Sequence, residues 1–295
     1  MKVLVTGGTG KVGTEVVNAL LSRGASVRVL TRNKEAKLPV GAEVAVGDLL
    51  DPDSVRAALD GADKLFLLVA NAADELTQAL LTFAVARQAK AKHLTYLSVY
   101  QAERFPDVPH FIGKHAVETA LKAFEVPFTI LRPGYFFQND AALKAPLTGP
   151  GLYPTPIGTA GIAAVDVRDI ADAAAVSLAT DGHAGKTYNL IGLAPLSGPG
   201  VAAAWAAALG RPVRYADPPL DAFEEQLRQM LPAWLAMDLR LMFQGYQERG
   251  FAPAAADVAA LTTLIGHAPR RYEDFVHETA IAWGITQSRS TAESP

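Results

Sequence analysis

Short apolar runs alternate with amphipathic stretches through the first two-thirds of the chain. Residues 3–5 and 65–69 are continuously apolar, which is typical of strands buried on both faces of a sheet. The stretches between such runs carry the 3.6-residue period of a helix. Strands separated by helices of about 10–15 residues indicate right-handed βαβ units. The pattern therefore predicts an α/β protein with a doubly wound parallel sheet.

The predicted strands share a short apolar or β-branched centre, and the predicted helices share an amphipathic pattern. Strands are expected at residues 3–5, 26–30, 43–46, 65–69, 93–98 and 128–131. Helices are expected at residues 14–23, 53–59, 74–89 and 114–124, with capping signals at 51–54 before the second of them.

The first predicted strand runs into a glycine-rich loop, VTGGTGKVG, at residues 5–13. Gly7, Gly10 and Gly13 are spaced as G-x-x-G-x-x-G, and a predicted helix follows them. Between a strand and a helix, such glycines allow a tight turn and close backbone approach to a pyrophosphate at the helix N-terminus. The alternative is a glycine-rich turn without a ligand. The predicted pyrophosphate-binding residues are Gly7, Thr9, Gly10, Lys11, Val12 and Gly13.

The end of the second predicted strand indicates which dinucleotide binds. Proteins that bind NAD usually place Asp or Glu about 20 residues after the glycines, where it accepts from the ribose 2′-hydroxyl. Here the sequence reads RVLTRN, and Arg32 stands 19 residues after Gly13. A guanidinium suits a 2′-phosphate and cannot accept a hydrogen bond, and Lys11 adds positive charge. NADP(H) is predicted over NAD(H), unless Arg32 is only a solvated surface residue.

Three further positions that follow predicted strands are candidate cofactor contacts. Asp48, in VGDLLD, can accept from an adenine amino group or cap the next helix, and Leu49 beside it is a candidate adenine contact. Ala70 and Asn71 end the fourth strand, where the ribose or nicotinamide of a dinucleotide passes in this fold.

These motifs, with YLSVYQA, HFIGKHAVETAL, FTILRPGYFFQN and VDVRDIADAAA, resemble the NmrA-like group of atypical short-chain dehydrogenases/reductases over roughly residues 1–285. The resemblance implies a Rossmann domain that prefers NADP and a small C-terminal substrate lobe. It also implies one of two roles: a reductase of quinones and similar carbonyl or ether compounds, or a regulator that senses the cofactor.

Ordinary short-chain enzymes carry a serine, a tyrosine about twelve residues later and a lysine four residues after the tyrosine. Here Ser98 and Lys114 keep that frame, but His110 stands in the position of the tyrosine. Histidine can donate a proton near neutral pH, although the nearby lysine opposes its protonation. His110 is therefore a candidate proton donor or only a helix cap or part of the cleft wall. Lys114 is the stronger candidate, as a contact of the ribose hydroxyls.

Aromatic residues follow the sixth predicted strand, where ligands of this fold bind. Tyr135, Phe136 and Phe137 are candidate stacking partners for a quinone or nicotinamide. Core packing of the second lobe is an equal alternative for them. Tyr100 and Tyr135 are also candidate hydroxyl donors in place of the missing tyrosine. The other histidines lack metal-ligand spacing, so we expect no metal site.

After Pro133 the pattern is less regular. Residues 165–179 predict a helix capped by Asp166 or Asp169, 186–192 a strand, 200–209 a helix, and 219–249 are mostly helical. We therefore divide the chain into an NADP-binding Rossmann core at 1–133 and a mixed region at 134–285. The mixed region adds a smaller C-terminal α/β lobe and late core elements. The polar segment at 286–295 is expected to be disordered.

Composition changes this picture mainly by exclusion. The 295 residues include no cysteine, which excludes disulfides, thiolate metal sites and cysteine nucleophiles. A net charge of −3 gives no broad basic surface for nucleic acid or anionic membranes. The chain begins directly with a predicted strand and lacks a signal-peptide pattern, so a cytoplasmic location is expected.

Two functions follow from these observations. The favoured one is an NADPH-dependent reductase that transfers hydride to a quinone-like or carbonyl small molecule. The alternative is a dinucleotide-binding sensor that contacts a regulatory protein or a second copy of itself. The apolar segment LPAWLAMDLRLMF, residues 231–243, is the candidate interface for such a partner, or else a lid or core.

Overall fold

The computed structural model describes residues 1–285, so the predicted disorder of 286–295 lies outside the described residues. Its strands are β1 (Lys2–Thr6), β2 (Ser26–Thr31), β3 (Ala42–Val46), β4 (Lys64–Leu67), β5 (His93–Leu97), β6 (Phe128–Pro133), β7 (Tyr135–Phe136), β8 (Leu152–Tyr153), β9 (Ala164–Val165), β10 (Lys186–Leu190) and β11 (Arg214–Tyr215). Its helices are α1 (Lys11–Ser22), α2 (Pro52–Leu59), α3 (Glu75–Gln88), α4 (Pro109–Leu121), α5 (Lys144–Thr148), α6 (Val167–Ala179), α7 (Gly198–Leu209), α8 (Leu220–Arg228), α9 (Ala233–Arg249), α10 (Ala255–Ile265) and α11 (Tyr272–Ala282).

A central sheet of seven parallel strands carries the fold, in the order β10-β6-β5-β4-β1-β2-β3. The chain winds in one direction from β1 to β3 and in the other from β4 to β10. The crevice between the carboxyl ends of β1 and β4 is the point at which ligands bind in such sheets. The predicted fold class is confirmed, and the glycine loop leaves β1 at this crevice.

Helices cover both faces of the sheet because the strands carry apolar side chains on both sides. Val3 and Val5 pack in a cluster with α1 and α6, whereas Leu4, between them, packs in a cluster with α2 and α3. This is the alternation that the strand pleat imposes. The late helix α6 packs on one face of the sheet and the late strand β10 forms its edge, so both belong to the Rossmann core.

The C-terminal lobe has its own aromatic core over the carboxyl ends of the strands. It contains two short sheets, β11 with β8 and β7 with β9. Trp205, Tyr153 and Phe251 are fully buried in its core, together with Phe105, which precedes α4, and Phe111 in the first turn of α4. The lobe thus packs directly against the start of α4. Among the described residues, every helix is too short or too polar to cross a membrane.

The helix predicted to begin at residue 114 begins five residues earlier, and this boundary was wrong. Pro109 takes the first position of α4, where its missing N–H is not needed, and Val108 before it is extended. His110 consequently lies at the helix N-terminus, and Lys114 lies one turn further along. Residues 219–249 are mostly helical, as predicted, and a turn that ends at Pro232 divides them into α8 and α9.

Candidate functional site

The glycine loop forms a bare backbone cradle at the N-terminus of α1. Gly7 has a φ of +65°, which favours glycine. A Cβ on Gly13 would lie 2.2 Å from the carbonyl oxygen of Gly7, so this position admits no side chain. Gly10 is the N-cap residue, and no side chain caps the helix or places an acid in its first turn. The N-terminal N–H groups of α1 are therefore left to an anionic ligand.

A cavity of about 620 Å³ extends from this loop along the ends of β2, β3 and β4. The predicted cofactor residues that line it are Gly7, Thr9, Arg32, Asp48, Leu49 and Ala70. Arg32 is 84% exposed, and its Nη1 lies 4.0 Å from Oδ2 of Asp48. The guanidinium is thus free to receive a phosphate from solvent. The cradle, the uncapped helix and the exposed arginine fit the pyrophosphate and 2′-phosphate of NADP(H).

The remaining predicted cofactor contacts lie around the same loop. Val12 is buried in the first turn of α1, and Asn71 is exposed just beyond β4. Lys11 donates from Nζ to the carbonyl oxygen of Gln138 at 3.0 Å, which ties the loop to the second lobe. Asp48 accepts from the N–H of Leu50 at 2.9 Å and does not cap α2. That cap is Asp51, which accepts from the N–H of Asp53 at 3.1 Å.

Lys114 is buried and its ammonium group is paired. Its Nζ donates to Oε1 of Glu75, which is also buried and is the first residue of α3. This pair joins α3 and α4 beside the carboxyl ends of β4 and β5. Lys114 lies past the first turn of α4, so the positive end of the helix disfavours its charge little. Lys114 is not among the residues that line the 620 Å³ cavity, and its contact with the ribose hydroxyls stays a prediction.

Ser98 takes part in a buried network beneath the cleft. Its hydroxyl donates to Oε1 of Glu118 at 2.5 Å. Glu118 is fully buried and also accepts from Nε and Nη2 of Arg132, at 2.8 and 2.5 Å. This carboxylate raises the pKa of the Arg132 guanidinium. The Glu118 carboxylate of α4 therefore joins the end of β5 to β6, and the Ser98 hydroxyl is used within this network.

His110 lies at the start of α4 and contacts the second lobe. Its backbone N–H donates to Oδ1 of Asp238 at 2.9 Å, and its Nδ1 contacts Oδ2 of the same carboxylate. Asp238 is fully buried on α9. His110 is thus not itself the cap of α4: the carboxylate of Asp238 caps the helix at its second residue. The His110 ring also packs edge-on against Phe111, with ring centroids 4.8 Å apart.

A further buried carboxyl group organises the tyrosines of the lobe. Asp140 accepts hydrogen bonds from the hydroxyls of Tyr135 at 3.0 Å, Tyr153 at 3.3 Å and Tyr272 at 2.5 Å. Burial raises the pKa of Asp140 to about 6, although the three hydroxyls oppose that shift. The Tyr135 hydroxyl is therefore used within the lobe, and Tyr100 donates to Asp257 at 3.2 Å.

The two phenylalanines that follow Tyr135 are placed differently from one another. Phe137 is 2% exposed and packs against the rings of Tyr272 and Phe275, as in the core-packing alternative. Phe136 is half-buried and packs against the apolar cluster that Val3 and Val5 form with α1 and α6. Neither placement tests a stacking role with a ligand.

Asp169, Asp172 and His267 lie close enough together to resemble a metal site. Arg270 already fills this cluster: its Nη1 contacts both carboxylates and its backbone N–H donates to Asp169 at 2.8 Å. A guanidinium at the centre of the cluster takes the place that a metal ion would need. The cap of α6 is Asp166, one of the two predicted candidates, which accepts from the N–H of Arg168 at 2.8 Å.

The sequence reasoning missed the acidic partners of the site. Glu75 pairs with Lys114, Glu118 with Ser98 and Asp238 with His110. Each acid lies 20 or more residues from its partner in sequence, and only the fold brings the two together. One signal was available for Asp238: it is the single acid in the apolar helical segment 231–243. A lone acid in such a segment indicates a buried carboxylate that needs a partner.

Comparisons with known proteins identify the family of this chain. Residues 1–275 match the model of the NmrA-like family. The NAD(P)H azoreductase of Xenophilus azovorans is 31% identical over 96% of this chain and 99% of that protein. A structure of Citrobacter sp. triphenylmethane reductase superimposes with a TM-score of 0.84 at 25% identity, covering 95% of this chain and 99% of that one.

A third similar protein was solved with its cofactor. The NADPH-dependent quinone oxidoreductase of Escherichia coli, complexed with NADPH, superimposes with a TM-score of 0.82 at 25% identity. The match covers 94% of this chain and 99% of that one. The fold class and the family resemblance predicted from the motifs are both confirmed. The chain belongs to the NmrA-like family.

Proposed function

We propose that this protein is an NADPH-dependent reductase of quinone-like or other conjugated small molecules. The observation that carries the proposal is the uncapped glycine loop with the exposed Arg32 at the end of β2, on one wall of a single cavity. The similar proteins support it, since those named above are reductases that match nearly the whole chain.

Each part of the cofactor has a matching group in the chain. The N–H groups at the start of α1 would hold the pyrophosphate, and Arg32 would hold the 2′-phosphate. Leu49 and Asp48 would meet the adenine, while Ala70 and Asn71 would border the ribose or nicotinamide. Lys114 would position the nicotinamide ribose. Bound NADPH supplies a hydride in this class of enzyme.

Exposed apolar side chains lie beside the His110–Asp238 and Lys114–Glu75 pairs and favour an apolar acceptor. Ile112 lies between His110 and Lys114 on α4 and is 37% exposed. Trp234 and Met237, 42% and 51% exposed, lie within one turn of Asp238 on α9. A flat conjugated acceptor could cover such surfaces and lose its water. The names of the similar reductases specify acceptors of this kind: azo compounds, quinones and triphenylmethane dyes.

The sensor alternative has less support. Most of segment 231–243 lies in α9, and its inner side chains, such as Met242 and Phe243, are buried in the lobe core. Core packing therefore accounts for much of its apolar character. Trp234 and Met237 stay exposed, but their position beside His110 and Asp238 suits a substrate as well as a protein.

The direct test is oxidation of NADPH by the purified protein with 1,4-naphthoquinone, an azo dye or a triarylmethane dye as acceptor. We expect turnover with at least one of them and a preference for NADPH over NADH. Lys114→Met should lower turnover strongly, whereas Lys144→Met, at the exposed first residue of α5, is the matched control. Tight NADPH binding without acceptor-dependent oxidation across the panel would reject the reductase in favour of the sensor.

A further inference from the structure

One buried carboxylate from the C-terminal lobe clamps the His110 imidazole. Asp238 is fully buried, and His110 keeps 9% of its side-chain surface exposed. The carboxylate accepts from both the backbone N–H and the ring of His110, so it fixes the position of the ring as well as its orientation. The two residues are 128 positions apart in sequence, and the clamp joins α4 of the Rossmann half to α9 of the lobe.

The carboxylate also selects the tautomer of the ring. An ionised carboxylate only accepts hydrogen bonds, so the Nδ1 that faces it must carry a proton. In the neutral ring Nε2 is then the unprotonated nitrogen. In the imidazolium form Nε2 carries the exchangeable proton, and Asp238 balances the charge. Among the described residues Nε2 has no hydrogen-bond partner, and it is not one of the buried atoms left unpaired, so solvent reaches this nitrogen and a substrate can bond to it.

The lysine that would oppose a positive imidazole is neutralised by its own partner. His110 and Lys114 are four residues apart on α4 and therefore share a face of that helix. The Lys114 ammonium is paired with the buried carboxylate of Glu75, which belongs to α3, whereas Asp238 belongs to α9. Each cationic group on this face of α4 thus has a dedicated carboxylate, Glu75 from α3 for one and Asp238 from α9 for the other.

We propose that the His110–Asp238 dyad replaces the absent tyrosine: His110 gives a proton from Nε2 to the reduced acceptor, and Asp238 is its positioning residue. This inference rests on the proposed reductase function. It assigns the lobe a part in the chemistry, since the lobe supplies the group that orients the proton donor. Among the described residues the hydrogen bonds of Asp238 go to His110, so Asp238 acts on the acceptor through that residue.

The balance of the step follows from the acceptor. A quinone becomes a hydroquinone by gaining one hydride, taken from NADPH as it becomes NADP⁺, and one proton. The proton leaves Nε2 of the imidazolium, which returns to the neutral ring with its proton on Nδ1, and water then restores the proton on Nε2. A triarylmethane dye cation differs, because hydride addition to its central carbon gives a neutral product and requires no proton.

The first test reads the dyad without any turnover. In ¹⁵N NMR spectra of the ring nitrogens, assigned with His110→Gln, we expect neutral His110 to carry its proton on Nδ1. Asp238→Asn keeps an oxygen for the backbone N–H of His110 but can turn an amide N–H toward Nδ1. We expect the proton to move to Nε2 in this variant. An Nε2 proton in the unaltered protein, or no change in Asp238→Asn, would overturn the dyad.

The second test compares 1,4-naphthoquinone, which needs a proton, with malachite green, a triarylmethane cation that does not. Asp238→Asn should lower the ratio of kcat for the quinone to kcat for the dye by about tenfold or more, with KM changed far less. His110→Gln should lower the ratio at least as much, and the double variant no further. Asp221→Asn is the control, since Asp221 is 88% exposed and pairs with Arg240 of α9.

The outcomes separate this inference from the function on which it rests. Equal losses of kcat for both probes in Asp238→Asn would show a purely structural role and overturn the positioning role. Reduction of neither probe by the unaltered protein would overturn the reductase function and the proton transfer with it. The NMR measurement would still decide whether Asp238 fixes the His110 tautomer.

Discussion

The glycine loop and the charged groups beneath and beside it are built in opposite ways. The loop presents backbone from one stretch of sequence, its helix has no side-chain cap, and its arginine is 84% exposed. By contrast, Glu118, Asp140 and Asp238 are each fully buried. Two of these carboxyl groups reach partners 128 and 132 residues away, His110 and Tyr272.

The difference separates binding from stability. Polar groups that face solvent can exchange water for a ligand at little cost to the fold, so they can be left unsatisfied until a ligand arrives. A buried carboxylate has lost its water, and removal of one partner leaves a charge that the interior cannot solvate. Changes to the solvent-facing polar groups of the cofactor cradle, such as Arg32, should therefore act mainly on cofactor binding, and changes that unpair the buried carboxyl groups should act strongly on folding.

The largest effect is expected at Arg132, which donates two hydrogen bonds to buried Glu118. Arg132→Met leaves that carboxylate without its cation and should lower the free energy of unfolding by about 3–5 kcal/mol. Urea unfolding measures the change. The double variant Arg132→Met with Glu118→Leu removes both charges and should recover most of the loss. If the single and double variants were equally stable, the loss in Arg132→Met would not come from the unpaired charge of Glu118.

Two glycines of the loop should differ strongly from each other. A Cβ at Gly13 would lie 2.2 Å from a backbone oxygen, whereas a Cβ at Gly10 would have its nearest neighbour at 3.4 Å. Gly13→Ala must move the backbone and should cost about 3 kcal/mol together with NADPH binding. Gly10→Ala is the matched control, with an expected cost of about 1 kcal/mol or less. Similar thermal stabilities for the two variants would contradict the close approach at Gly13.

The same contrast decides what the sequence could predict. Gly7, Gly13 and Arg32 were identifiable because a strand, a turn and a helix in succession fix their relative positions. The strands also follow from the local apolar pattern. The start of α4 does not, because Pro109 takes the first helical position five residues before the predicted start. The pairing of His110 with Asp238, or of Tyr272 with Asp140, depends on how the lobe folds over the sheet. The charge pattern shows that such carboxylates need partners. It does not show which residues those partners are.

Asp140 should give stability a distinctive dependence on pH. Burial raises its pKa to about 6 in the folded protein, whereas an unfolded aspartate titrates near 3.9. Between about pH 4 and pH 6 the folded state therefore binds more protons, so stability falls as pH rises through this window. Compared with Asp140→Asn, which cannot titrate, the wild type should lose about 2–3 kcal/mol from pH 4 to pH 7.

The measurement for Asp140 is the difference in unfolding free energy between the wild type and Asp140→Asn across that range. Taking the difference removes the titration of groups common to both proteins. The same comparison with Asp221→Asn, at a side chain that is 88% exposed, is the control. A difference that stays constant from pH 4 to pH 7 would mean that the three tyrosine hydroxyls fully replace the lost water.

The smallest effect on the fold is expected at Arg32, whose side chain is 84% exposed and lies 4.0 Å from Asp48. Arg32→Ala should change the unfolding free energy by about 0.5 kcal/mol or less. Calorimetric titration should nevertheless show NADPH affinity lowered about tenfold, because charge-assisted hydrogen bonds to the 2′-phosphate are lost. NADH, which lacks that phosphate, should bind as before.

Arg56→Ala provides the control for Arg32, since it removes an exposed cation on α2 that pairs with Asp53. It should leave the preference for NADPH intact, so an equal loss in both variants would indicate a general electrostatic effect and no specific phosphate contact. A loss confined to Arg32→Ala, without a change in stability, would set the two regions of the molecule apart. Around the buried carboxyl groups, by contrast, removing one charge of a pair should also lower the stability of the fold.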